Sequence, residues 1–250
     1  MARSAVGSTY GRTLFENQGV LATWLPDRPL RVGDVVSRAP RTGILNVETT
    51  LKAMLNGTKL ATVTRTGPNA VTLQRGATIE YTANAGVPGL TAELTFTSES
   101  SFVFAAKDGS SEEYRQLAET RAALLMLAST GVWRDTWQLV TAVRRFTTCT
   151  IVIARQRGTT ARISLDGIAI PGGFDTIAAA SGVSITSGDA ATWELRDAGP
   201  LYEALSVTRN FWSGQPDVSN GGFMDYDSDD SPPDSQITVF RAEPTDFDLP

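Results

Sequence analysis

Residues 137–155 read Trp137-Gln-Leu-Val-Thr-Ala-Val-Arg-Arg-Phe-Thr-Thr-Cys-Thr-Ile-Val-Ile-Ala-Arg155, and this stretch decides the predicted fold class. It is rich in β-branched and aromatic residues, which favour strands. The polar pair Thr147-Thr148 divides it into two predicted strands, and a third apolar run, 161–165, follows Gly158. We therefore predict an antiparallel meander over this part of the chain.

Upstream runs add further strands that each have one apolar and one threonine-rich face. Between residues 90 and 97, apolar residues alternate with three threonines and Glu93. The runs 60–65 and 70–74 flank Gly67-Pro68-Asn69, which has the composition of a hairpin turn. Alternation of this kind is typical of an antiparallel sheet with one buried face.

The residues after these upstream strands have helical spacing instead. Ser110 and Glu113 have the spacing of a capping box, and Gly131 stands where a helix would end. Between them, apolar residues recur at helical intervals, namely Tyr114, Leu117, Ala118, Leu124, Leu125 and Ala128. We predict one long helix over 111–130, and a short helical turn over 50–55 that ends at Asn56-Gly57. The predicted fold class is therefore α+β, a twisted and mostly antiparallel sheet with one long helix.

The negative charge of the chain is concentrated at its C-terminal end. Residues 215–250 hold nine acidic residues against one arginine, a net charge of −8 in a chain whose total is −5, which leaves +3 for residues 1–214. An acidic, turn-rich composition is typical of a tail. We predict one domain over 1–214 and an acidic tail over 215–250, which either extends into solvent or lies over a basic surface and masks it. Within the tail, Ile237, Val239 and Phe240 are the residues predicted to dock.

The bulk composition indicates a chain that folds in water. Hydrophobic residues make up 41% of it and charged residues 20%, which are ordinary values for a globular protein. No apolar run is long enough for a membrane helix, and no secretory signal precedes residue 20. A single cysteine, Cys149, cannot form a disulfide within the chain. We expect a cytoplasmic protein.

The sequence contains no recognisable catalytic apparatus. It has no histidine, which removes the usual general base and the commonest metal ligand. The acidic run Asp225, Asp227, Asp229 has calcium-loop spacing, but Asp230 stands where that loop needs glycine and Gln236 where it needs glutamate. The basic residues of 1–214 are too few and too dispersed for a nucleic-acid site. We expect no enzyme activity, no cofactor, no metal site and no nucleic-acid partner.

One candidate surface lies in the N-terminal part of the chain. Trp24 is followed by four arginines, namely Arg28, Arg31, Arg38 and Arg41. An aromatic residue beside several arginines suits a lipid headgroup surface or an acidic protein partner. The alternative interpretation is a core tryptophan beside scattered surface arginines.

Two stretches resemble the N-terminal pore-forming domain of the gasdermins, including their bacterial members. The first is Val20-Leu-Ala-Thr-Trp-Leu-Pro-Asp-Arg-Pro-Leu-Arg-Val-Gly-Asp-Val-Val-Ser-Arg38, followed by Thr49-Thr-Leu-Lys-Ala-Met-Leu55. The second runs from Trp137 to Gly167 and is similar to the strand meander that follows a central helix in that family. The order of elements agrees over about 210 residues.

The resemblance implies a pore former that is held inactive by its C-terminal segment and released by proteolysis. Its implied partners are an activating protease, an anionic membrane after activation, and further copies of itself that assemble a β-barrel pore. The candidate surface residues would then contact lipid, and the acidic tail would be inhibitory. The competing hypothesis is a non-catalytic binding or assembly module with a protein partner.

Overall fold

The structure is a computed structural model that describes residues 2–23, 28–39, 44–67, 70–83, 90–165, 177, 180–209, 216–217 and 239–241. The α-helices of these residues are α1 (Ala2–Gln18), α2 (Leu51–Met54) and α3 (Leu117–Ser129). The strands are β1 (Leu21–Ala22), β2 (Asp34–Arg38), β3 (Leu45–Thr50), β4 (Thr62–Thr66), β5 (Ala70–Arg75), β6 (Ala77–Ala83), β7 (Leu90–Phe96), β8 (Phe102–Tyr114), β9 (Trp137–Ala154), β10 (Thr160–Leu165), β11 (Ala180–Ser187), β12 (Ala190–Arg209), β13 (Pro216–Asp217) and β14 (Val239–Arg241). No described helix has both the length and the apolar character that a membrane crossing requires.

The strand β9 is the centre of a large antiparallel sheet. It is one strand of 18 residues, so the predicted break at Thr147-Thr148 is wrong. One edge of β9 pairs with β12 along nearly its whole length, and the other edge pairs first with β2 and then with β8. Thr148 stays in the strand because Lys107 and Arg196 pair with it from both sides. The prediction of a mostly antiparallel sheet is confirmed.

The strands β4 and β5 do not form the predicted hairpin. Both pair with β8, β4 with residues 110–114 and β5 with residues 102–107, so they lie end to end along one neighbour. At the junction, the Gly67 N–H donates to the Gly109 oxygen at 2.8 Å. A Cβ atom on Gly67 would lie 2.9 Å from the Gly109 carbonyl carbon, so this close approach requires glycine.

A second sheet of four strands has the order β11-β10-β7-β6 and is antiparallel throughout. It covers one face of the large sheet, whereas α1 covers the opposite face. Along β8, Phe102 and Phe104 join the apolar cluster of Tyr10 and Leu14 from α1. Val103 and Ala105 join the cluster of the small sheet. Successive side chains of a strand point to opposite faces, and both faces of β8 and β9 are covered here. The sequences of these two strands are therefore nearly continuous apolar runs.

The helix predicted over 111–130 is shorter than expected and begins later. Residues up to Tyr114 belong to β8, where Ser110 pairs with Arg145 and Glu113 pairs with Ala142, so the capping-box interpretation is wrong. The helix α3 has 13 residues and ends as predicted before Gly131, which has a φ of +74°. The Gly131 N–H donates to Ala128 and the Val132 N–H to Leu127, which closes the last turn.

The longest helix is α1, with 17 residues, and the sequence did not predict it. Tyr10 and Leu14, four residues apart, are its buried side chains in the apolar cluster beneath it. Phe15 packs against a neighbouring cluster. Residues four apart lie on the same face of a helix, so Tyr10 and Leu14 are the sequence feature from which α1 could have been predicted.

Candidate functional site

The segment 28–38 lies over an apolar cluster at one end of the large sheet. This cluster contains Leu21, Leu30, Val36, Leu45, Val140, Val143, Tyr202 and Ala204. Leu30 and Val36 belong to the segment itself and are buried, which fixes its path across β9 and β12. The cluster therefore positions three of the five predicted surface residues, Arg28, Arg31 and Arg38. Trp24 and Arg41 lie outside the described residues.

Arg28 lines a shallow groove at this end of the sheet. The groove has a volume of about 220 Å³, and its other lining residues are Thr23, Pro29, Leu30, Leu45, Asn46 and Val47. Arg28 is exposed, and Val47 is 52% exposed although it is apolar. A cation beside an exposed apolar side chain is an arrangement suited to the boundary between lipid headgroups and acyl chains.

Arg31 begins a tight turn that leads into β2. The Asp34 N–H donates to the Arg31 oxygen at 3.1 Å, and the Arg31 N–H donates to Asp34 Oδ2 at 2.8 Å. Gly33, inside the turn, has a φ of +94°. Both hydrogen bonds use backbone atoms of Arg31, and its side chain is exposed at the surface.

The turn buries the Asp34 carboxylate beside the Tyr114 hydroxyl group. Burial raises the pKa of Asp34, and the hydrogen bond and charge of Arg31 offset part of that rise. Burial also raises the pKa of Tyr114 to about 12, and the negative charge of Asp34 adds to this effect. Burial of the ionised carboxylate in this position costs free energy.

Arg38 faces inward and differs in this respect from Arg28 and Arg31. Its Nη2 atom donates to the Tyr202 hydroxyl at 3.2 Å. Burial raises the pKa of Tyr202, and the guanidinium of Arg38 offsets part of that rise. Arg145, which the sequence did not single out, also supports the segment, because its Nη2 atom donates to the Leu30 oxygen at 3.2 Å. No local pattern marks Arg145 or Tyr202, since both act across 100 or more residues of chain.

The tail adds two short strands to the large sheet. The strand β14 pairs antiparallel with β12, with Val239 opposite Val207 and Phe240 opposite Ser206. The short strand β13 pairs with β12 at Thr208 and Arg209. Ile237 lies outside the described residues, so of the three predicted docking residues the structure places the backbones of Val239 and Phe240.

Within the described ranges, no three acidic or cysteine side chains are grouped closely enough to hold a metal ion. The aspartates at 225, 227 and 229 lie outside those ranges. Cys149 lies on β9 and is buried in the cluster beneath α1, and this burial raises the pKa of its thiol well above the ordinary value. A buried, protonated thiol is a poor nucleophile.

Comparison with solved structures finds remote similarities, among them one to a bacterial gasdermin. A bacterial gasdermin from Bradyrhizobium tropiciagri is 12% identical, with a TM-score of 0.32 over 82% of this chain and 88% of that one. No family model matches the sequence. No curated protein matches it either. A TM-score this low does not establish a shared fold.

Proposed function

We propose that this chain is a gasdermin-like pore-forming protein of the cytoplasm. In this proposal, its C-terminal segment holds it inactive, and a protease releases it to act on anionic membranes. The released copies assemble into a β-barrel pore, and no catalytic step is involved. The observation that carries the proposal is the two-faced character of the small sheet.

The small sheet has one apolar and one polar face along its central strands. In β10, Ala161, Ile163 and Leu165 are buried, whereas Arg162 and Ser164 are exposed. In β7 the buried residues are Ala92, Leu94 and Phe96, and they alternate with Thr91, Glu93 and Thr95. Strands of a membrane barrel need the same alternation, with apolar side chains toward lipid and polar ones toward the lumen. The apolar face now covered by the large sheet would become the lipid face.

The connections of the small sheet suit such a rearrangement. Among the described strands, none of the small sheet pairs with a strand of the large sheet. Side-chain packing and the hydrogen bond from the Val183 N–H to Glu194 Oε1 at 2.8 Å hold the two sheets together. The strands β6 and β7 form one antiparallel pair, and β10 and β11 form another. Each pair could extend as a hairpin without breaking the long ladders of β8, β9 and β12.

The tail strand supports the inhibitory part of the proposal. The strand β14 belongs to the acidic region 215–250 and is paired with β12 of the body. The sequence between β13 and β14 contains Asp225, Asp227, Asp229 and Asp230, so cleavage before Asp225 would separate eight acidic residues and one arginine, a net charge of −7, from the body. Loss of that charge would favour attraction of the body to an anionic surface.

Vesicle leakage tests this proposal directly. A recognition site for a specific protease is introduced between residues 218 and 224, before the run of aspartates, and dye release is measured from vesicles with and without anionic lipid. We expect sealed vesicles with intact protein, and leakage from anionic vesicles after cleavage that weakens as salt screens the charges. Vesicles that stay sealed after complete cleavage would contradict pore formation and favour an assembly module with a protein partner.

The arginines of the candidate surface provide the matched variants for this assay. The single variants Arg28→Glu and Arg31→Glu, at exposed positions, are each expected to reduce leakage while the thermal unfolding midpoint stays unchanged. Reversal of Arg157, an exposed arginine in the turn after β9, serves as the control of equal charge. If all three reversals reduce leakage equally, net charge rather than the segment 28–38 determines binding.

A further inference from the structure

Among the described strands, two open edges of the large sheet lie directly across it from each other. The strand β5 forms one edge, since β8 is its only partner among the described strands. Residues 190–196 of β12 form the opposite edge, because the described partners of that side, β1, β14 and β13, pair further along at residues 201–209. A sheet edge presents unpaired backbone donors and acceptors, which makes it a template for another strand.

Six rows of directly paired residues cross the sheet from β5 through β8 and β9 to β12 without a β-bulge. Arg75 pairs with Phe102, Phe102 with Ile153, and Ile153 with Ala191. Each following row is one residue further along every strand. The last row joins Ala70, Lys107, Thr148 and Arg196. Residues 70–75 of one molecule can therefore face residues 191–196 of the next without a shift in register.

The direction of the strands also fits. Each strand in the series β5, β8, β9, β12 is antiparallel to its neighbour, so β5 and β12 run in opposite directions. A second copy placed beside the first in the same orientation would bring its β5 antiparallel to β12. The sheet would continue with its regular hydrogen-bond pattern.

Both edges leave apolar side chains incompletely buried on the same face. Leu73 at one edge, and Trp193 and Leu195 at the other, are partly buried against the cluster beneath α1. Leu73 belongs to the row that ends at Trp193, and Val71 to the row that ends at Leu195. Head-to-tail contact would place Leu73 of one copy against Trp193 of the next. Such cross-strand apolar pairs are the stabilising units of a sheet.

The charges of the two edges are complementary. Residues 62–75 carry two arginines, Arg65 and Arg75, and no acidic residue. Residues 189–197 carry three acidic residues, Asp189, Glu194 and Asp197, against Arg196. Arg75 would lie opposite Ala191 and diagonal to Asp189, a separation that a long side chain can span, and it would share that carboxylate with Arg155, whose Nη1 atom lies 3.6 Å from Asp189 Oδ1.

We infer that these edges form a head-to-tail assembly surface for copies of this chain, with Ala70–Arg75 of one copy paired to residues 191–196 of the next. A heterologous contact of this kind produces rings or filaments rather than closed dimers. The inference rests on the proposed function, since it names the surface through which a pore former would assemble.

Site-specific cross-linking tests the assembly surface. Gln74 and Thr192 are exposed and belong to the same row, so they would face each other across the contact. The variant Gln74→Cys/Thr192→Cys is treated with a short bis-maleimide on anionic vesicles, before and after tail cleavage. We expect a ladder of covalent multimers from the double variant and no product from either single variant. The unaltered chain is the control, because its Cys149 is 1% exposed.

Charge reversal provides a second measurement. Arg75→Glu is expected to lower the yield of multimers about fivefold per contact, the equivalent of about 1 kcal/mol for one cross-strand charge pair. Arg115→Glu, an exposed position at the end of β8 opposite to its pairing with β5, should leave the yield unchanged.

The outcomes separate this inference from the proposed function. Leakage without a ladder would mean that copies assemble through another surface, and it would overturn the inference alone. A ladder without leakage would support the surface and contradict the pore. Dimers from a single-cysteine variant would show a symmetric contact, and a chain that stays monomeric throughout would overturn the assembly surface.

Discussion

The carboxylate of Asp34 accepts a hydrogen bond of 2.8 Å from the backbone N–H of Arg31, and it does so in a buried position. Burial raises the pKa of Asp34 above its usual value of 3.8. The folded state therefore binds this proton more tightly than the unfolded state does. Between the unfolded and the folded pKa, the contribution of Asp34 to the free energy of unfolding falls as pH rises.

Asp34→Asn tests this linkage, because the amide oxygen can still accept from Arg31 while the charge is removed. We expect a higher free energy of unfolding than that of the unaltered chain at neutral pH, and a flatter dependence on pH above about pH 4. Urea denaturation at several pH values measures both. A lower free energy of unfolding at neutral pH would mean that the ionised carboxylate stabilises the turn.

Gly33→Ala is expected to destabilise the protein for two reasons. Gly33 has a φ of +94°, which costs a residue with a side chain roughly 1–3 kcal/mol, and a Cβ atom would lie 2.7 Å from the Tyr114 hydroxyl oxygen. Gly57→Ala is the matched control, because Gly57 has a φ of +91° and no atom within 4 Å of such a Cβ. Tyr114→Phe should recover part of the difference, and equal losses at both glycines would exclude the steric contribution.

Two buried tyrosines should respond in opposite ways to loss of the hydroxyl group. The Tyr10 hydroxyl has no hydrogen-bond partner in the described part of the chain, whereas the Tyr202 hydroxyl accepts from Arg38. Tyr10→Phe is expected to raise the free energy of unfolding by roughly 1 kcal/mol, and Tyr202→Phe to lower it by roughly 1–2 kcal/mol. Chemical denaturation measures both, and a loss on Tyr10→Phe would indicate that a bound water satisfies that hydroxyl.

The thiol of Cys149 reports whether α1 can leave the sheet. Cys149 shares an apolar cluster with Tyr10 and Leu14, so labelling by a maleimide requires that α1 opens or that the chain unfolds. Leu14→Ala, which should cost roughly 2–5 kcal/mol, is expected to accelerate labelling at least about tenfold. Leu94→Ala in the small sheet is the matched core truncation. Equal acceleration by both would show that the thiol reacts through global unfolding.

Proline substitution in β14 should release the tail without cleavage. The variant Val239→Pro/Phe240→Pro removes two backbone donors from a three-residue strand and is expected to break its pairing with β12. If β14 holds the protein inactive, this variant should cause vesicle leakage without a protease. Ser235→Pro, outside the described strands, is the control. Sealed vesicles together with rapid amide exchange at 205–207 would show that β14 detaches without activating the chain.

Local signals in the sequence predicted several elements correctly. The helical turn over 50–55 appears as α2, where the Thr50 side chain accepts from Ala53 and Asn56 and Gly57 adopt positive φ. The helix α3 likewise ends before Gly131, which also adopts a positive φ. Alternating burial along β10 matches the alternation in its sequence. Each of these features depends on contacts within a few residues, which a sequence displays directly.

Other features were not predictable, because they depend on distant partners. Ser110 and Glu113 have the spacing of a capping box, yet pairing with Arg145 and Ala142 keeps them in β8. Gly67-Pro68-Asn69 has hairpin composition, yet β8 is long enough to pair with both flanking strands in line. The inward hydrogen bond of Arg38 likewise depends on Tyr202, 164 residues away.

The sequence by itself determined the antiparallel strands, the two-faced character of β7 and β10, the stop at Gly131 and the separation of charge between residues 1–214 and 215–250. The tertiary structure decided that 137–154 is one strand, that α1 covers it, and that β5 and residues 190–196 of β12 each lack a second partner among the described strands. The physical reason is that side-chain period and turn chemistry are local. Strand pairing, by contrast, depends on which distant backbone and apolar face supply the partner.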